Sequence, residues 1–161
     1  MEINPSANPE AQRLQNAEEL LQTQQEIQRL AQRDREVKAH EQAHAAVGGV
    51  YASQPHYDYV KGPNGVRYAT SGHVNIDVSP IPGDPQATLD KMQTVARAAL
   101  APAEPSSSDR AVAAKAHRLA AQARSEMITQ SDEVNALAKK SDLVKKSEIG
   151  ATSGAFLDLE I

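Results

Sequence analysis

The chain contains no cysteine and no tryptophan, and only 3% of its 161 residues are aromatic. Without cysteine there is no disulfide and no thiolate metal site, so any metal must be held by histidine and carboxylate. Without large aromatic rings the core has to be built from Ala, Leu, Val, Ile and Met. A core of that kind is thin, and a bound metal would add to its stability. No apolar run approaches the roughly 18 residues needed to span a bilayer. The first residues, Met1-Glu2-Ile3-Asn4-Pro5, carry neither the basic nor the apolar stretch of a signal peptide. The expectation is a cytoplasmic protein with no membrane span. The formal net charge is -4 with the two signs interspersed, which gives no basic footprint for nucleic acid.

What is present is helical periodicity. From Pro9 to Val47 there is no glycine and no further proline. Leu14, Ala17, Leu21, Ile27, Leu30, Val37 and His44 recur at spacings of three, four or seven. This predicts one long helix, or two with Asp34 capping a second that begins at Arg35. Gly48-Gly49 ends it. All four tyrosines then fall between residues 51 and 68. His56 to Val60 reads as a strand, Gly62-Pro63-Asn64-Gly65 as a turn, and Val66 to Thr70 as the return strand. His73 to Val78 reads as a third strand, with Val74, Ile76 and Val78 on one face and His73, Asn75 and Asp77 on the other.

Asp84-Pro85 is a strong helix start, with an apolar face of Leu89, Met92, Val95, Ala96 and Ala99. Residues 101–106 read as a linker. A serine near 107 caps a last helix, from about 109 to 139, with Val112, Ala116, Leu119, Ala123 and Met127 as its stripe. Residues 156–159 read as a short strand or a tail. The fold class is therefore α+β and mainly helical. Residues 1–32 form a helical arm, 33–140 the functional domain and 141–161 a flexible tail. The arm and the Ala-rich last helix also suit helix-mediated self-association.

One motif carries chemistry. His40-Glu41-Gln42-Ala43-His44 is an HExxH sequence on a helix. Residues four apart share a helix face, so both imidazoles reach one ion. Glu41, displaced around the helix, reaches a water beside the ion as a general base. The chemistry this implies is peptide-bond hydrolysis by a zinc-activated water, with Zn2+ as cofactor and a peptide or protein as substrate. The bland alternative is a pair of surface histidines on a scaffold helix. The small apolar neighbours Ala39, Ala43, Ala45, Ala46 and Val47 speak for a buried pair instead.

A catalytic zinc takes three protein ligands. Val47 and Val50 stand where a metzincin has Gly and His, so that class is excluded. No Glu occurs between Glu41 and Glu104. His73 is the expected third ligand, with Asp77, four residues on and about 13 Å away along a strand, as its competitor. Glu104 and His56 are weaker candidates. His117, in an alanine-rich helix, reads as a packed or exposed histidine. Tyr68, the tyrosine nearest His73 in sequence, is the candidate donor to the oxyanion.

Several stretches together resemble the bacterial SprA-related family of metallopeptidase-type proteins. They are Asp34-Arg35-Glu36-Val37, Ala39 to Ala46 with Gly48-Gly49, Gly62 to Gly65 with Arg67-Tyr68-Ala69, Ile76 to Pro80 with Pro82 to Pro85, and Ala98 to Ser106. The resemblance implies a zinc-peptidase-like role for His40, Glu41 and His44 and says little about substrate. In the family pattern an acidic residue stands where this chain has His73, and both residue types ligate zinc.

Overall fold

A computed structural model of the chain describes residues 9–151, with side chains to residue 141. The architecture is α+β and mainly helical: α1 (Pro9–Gly48), a 3-10 turn (Gly49–Tyr51), a hairpin of β1 (His56–Lys61) and β2 (Arg67–His73), α2 (Pro85–Ala99) and α3 (Ser107–Ala151). No helix among the described residues is long and apolar enough to cross a membrane.

The first helix runs unbroken through Asp34 instead of restarting there. The Asp34 carboxylate has tertiary work: it accepts from the Ala69 amide at 2.8 Å and pairs with Lys38 at 2.8 Å, which pins α1 to β2. The N-terminal half of α1 leaves Leu14, Leu20 and Leu21 exposed, so only its C-terminal half joins the body.

The core lies between α2 and α3. Leu89, Met92, Val95 and Ala96 face Ala116, Ala120 and Ala123, with Tyr51, Ile76, Val78, Val112, Leu119 and Met127 at the margin. Alanines at this spacing leave no bulk between the helices, so α2 and α3 pack closely. Asp84 caps α2 by accepting from Ala87 N at 2.8 Å, and Pro85 opens it as expected. α3 continues to Ala151, beyond the end near 139 read from the sequence. The segments 1–8 and 156–159 lie outside the described residues.

The hairpin turn forms where Gly62-Pro63-Asn64-Gly65 predicts it, with Gly65 N donating to Gly62 O at 2.9 Å and Gly65 at φ +80°. The sheet has two strands, and the expected third does not pair with them. β2 itself extends to His73. The chain beyond it bonds instead to the segment following α1, through Ser53 N to Asn75 O and Asp77 N to Tyr51 O, with one isolated bridge between Ala52 and Ile76. The alternation is nonetheless present. Val74, Ile76 and Val78 are half-buried, while His73, Asn75 and Asp77 face solvent.

Candidate metal centre

The two histidines of HExxH sit near the C-terminal end of α1, where the helix crosses the end of α2. Gly48 permits that approach, since a Cβ there would lie 2.5 Å from the Ala52 Cβ and 3.4 Å from the Ala98 Cβ. The crossing gives His44 its partner. Ala98 O, among the last carbonyls of α2 that lack a partner inside their own helix, lies 2.9 Å from His44 Nδ1. A carbonyl accepts only, so Nδ1 carries the proton and donates it. His44 is 3% exposed and held in one orientation, with Nε2 turned towards His40.

The two Nε2 atoms are 3.2 Å apart. The third group is Asp109, in the first turn of α3. Its Oδ1 is 3.4 Å from His44 Nε2 and its Oδ2 is 3.5 Å from His40 Nε2. His40, His44 and Asp109 form a group that can hold a metal ion. Asp109 is fixed by a reciprocal cap. Ser106 N donates to its Oδ2 at 2.7 Å, and its own amide donates to Ser106 Oγ at 3.1 Å. Burial works to raise the Asp109 carboxyl. The Ser106 hydrogen bonds and the charges of His44 and His40 outweigh it and hold the group below its ordinary value. Its place at a helix N-terminus also favours the anion.

Glu41 lies beside the group, 6% exposed. Its carboxylate receives no hydrogen bond from the described residues, and it lines a cleft of about 620 Å3 together with His40. The α1 face from Arg33 to Ala43 forms one side of this cleft, Ser71 and Gly72 of β2 another, and residues 101–106 the third. β2 comes close because residue 72 has no side chain. A Cβ there would lie 2.8 Å from Glu41 Cγ, 2.9 Å from His56 O and 3.1 Å from Tyr57 Cδ1.

The structure thus brings Asp109, and not His73, to the two histidines. His73 is the solvent-facing end of β2 and stacks on His56 across the hairpin, ring centroids 5.4 Å apart. Asp77 caps its own loop through Ser79 N at 2.9 Å and pairs with Lys91 at 2.7 Å, which draws its carboxyl down to about 2. Glu104 lines the cleft but is not among the three grouped residues. His117 is exposed on α3. Tyr68 is engaged in the hairpin turn, its hydroxyl accepting from Asn64 Nδ2 at 2.9 Å and its ring lying over Gly62. The tyrosine that senses Glu41 is Tyr57, whose phenol is pushed up by burial and then by the Glu41 charge.

The sequence did carry a signal for Asp109. Ser106-Ser107-Ser108-Asp109 has the spacing of a capping box, with Asp in the position usually held by Glu. A capping box places that carboxylate at the helix start, facing back over the preceding linker.

No curated protein and no solved structure matches the chain. A family model described as the SprA-related family matches residues 6–151, and the chain belongs to that family.

Proposed function

We propose that the chain is a zinc-dependent peptidase, in which His40, His44 and Asp109 hold the ion and Glu41 is the general base. The observation that carries this reading is the convergence of three donors beside Glu41, a mostly buried residue whose carboxylate opens into the cleft and takes no hydrogen bond from the described residues. The donor set, two imidazoles and one carboxylate, suits zinc. So does its size: ligands at ~2.0–2.1 Å on a tetrahedral ion stand about 3.3–3.4 Å apart. The two imidazole nitrogens are 3.2 Å apart, and the Asp109 carboxylate approaches them with a different oxygen each, at 3.4 Å to His44 and 3.5 Å to His40. The Ala98 carbonyl supplies the outer hydrogen bond that fixes a ligating histidine.

Zinc in such a site acidifies water and polarises a carbonyl. The chain supplies the rest. The cleft holds the peptide against α1 and β2. Glu41 takes a proton from the attacking water, whose oxygen bonds to the carbonyl carbon. As the C–N bond breaks, Glu41 returns the proton to the leaving amine. Its carboxylate opens into the cleft, and the missing side chain at Gly72 gives it room.

The test is Glu41→Gln in the zinc-loaded chain, assayed on a mixed peptide pool by mass spectrometry. The variant retains zinc and loses cleavage by ~10²–10⁴-fold. Cleavage at the parental rate would remove Glu41 from the reaction.

A further inference from the structure

The cleft has a far end that the hydrolytic reading does not use. Arg33 lies there, seven residues before His40 on the same helix. Its Nε donates to Thr70 O of β2 at 3.1 Å, which fixes the plane of the guanidinium. The terminal nitrogens are left over. Among the described residues no carboxylate lies within 4.0 Å of Arg33. An arginine anchored through one N–H, with its remaining fork unpaired, is a preorganised receptor for a carboxylate. A second feature marks this cleft as a ligand site. Glu41, more than nine-tenths buried and without a hydrogen-bond donor among the described residues, opens into the same space.

Resting on the peptidase reading above, we infer that Arg33 is a specificity-determining residue that binds a carboxylate of the substrate peptide about three residues from the bond at the histidine pair. The spacing follows from the helix. Seven residues at a rise of ~1.5 Å make about 10 Å, which an extended peptide covers in about three residues at ~3.3 Å each. Glu36 and Glu104 also line the cleft. Arg33 is the only lysine or arginine among the lining residues, so it is the group there that an acidic ligand would pair with. The carboxylate comes from an Asp or Glu side chain or from the peptide's free C-terminus, and the chemistry of recognition is the same.

The test reads binding, so that it stands whether or not a bond is cut. Three mixed-sequence peptide pools carrying an uncharged BODIPY label are compared by anisotropy on the zinc-loaded full chain carrying Glu41→Gln. One pool is neutral and C-terminally amidated, one is amidated with a single Glu, and one is neutral with a free C-terminus. At least one carboxylate-bearing pool binds about fivefold to tenfold tighter than the neutral amide. Adding Arg33→Gln abolishes the difference, and Arg33→Lys restores part of it, because charge returns without the fork. Whichever acidic pool binds tighter identifies the source of the carboxylate. Equal binding of all three pools overturns the inference, and so does a preference that survives Arg33→Gln. Selective binding without any cleavage by the parental chain would remove the peptidase reading and leave the Arg33 assignment standing.

Discussion

In Asp109→Asn the side chain keeps its shape and an oxygen for the Ser106 amide but loses its charge and its worth as a metal ligand. The cap at the start of α3 is largely preserved, so the zinc-free protein should lose no more than ~1 kcal/mol. The effect on metal affinity is larger. Removing a group that merely orients a ligand weakens binding ~10–100-fold, and removing a ligand reaches at least about 100-fold. With free zinc at a hundred times the parental Kd, binding stabilises the parental fold by ~2.7 kcal/mol and the variant by only ~0.4 kcal/mol. In a domain of this size each kcal/mol moves Tm by ~2–4 °C. Zinc should therefore raise the parental Tm by about 5–10 °C and the Asp109→Asn Tm by about 1 °C. The assay is thermal unfolding with and without zinc, with His73→Ala as the companion variant. A full zinc response in Asp109→Asn, or its loss in His73→Ala, would refute the assignment of the third ligand to Asp109.

Two further predictions concern the frame around the site. Gly72→Ala sets a methyl group against Glu41 Cγ and the His56 carbonyl, at 2.8 and 2.9 Å. The backbone carbonyl cannot yield as a side-chain tip would, so the variant should lose about 1–3 kcal/mol in denaturant unfolding. The Asp77 carboxyl is lowered to about 2, first by the Lys91 hydrogen bond and then by Ser79. A carboxyl with a depressed folded-state pKa contributes stability above its unfolded value of ~3.9, and that contribution is lost as pH falls through the folded one. The parental chain should therefore lose stability between about pH 4 and pH 2. Asp77→Asn should flatten that part of the stability profile, and an unchanged profile would show the pair to be uncoupled from folding.

Local signals were readable where local chemistry decides the structure. Asp84-Pro85 announced α2, and Gly62-Pro63-Asn64-Gly65 announced the hairpin. HExxH on a helix placed His40, Glu41 and His44 together, because a helix fixes residues four apart. Non-local choices were harder to read. Asp34 has the look of a cap, yet the amide of Ala69, 35 residues away, claims its carboxylate. His73 stood on a polar strand face that proved to be the solvent face. Asp109 lies on another helix, and its approach depends on how α3 meets α1, which no spacing rule supplies. Its capping box fixed the local geometry of the carboxylate without saying what it would face. The tyrosines show the same divide. Tyr68 is nearer His73 in sequence, but pairing within the hairpin sets Tyr57 opposite Gly72 and hence beside Glu41.

The most direct measurement of the central claim is the zinc content of the full chain purified without added metal and then refilled and desalted. The account predicts ~1 equivalent of zinc per chain, falling steeply in His44→Ala and Asp109→Asn. Less than ~0.1 equivalent in the parental protein after refilling would contradict a tetrahedral zinc site built on His40, His44 and Asp109.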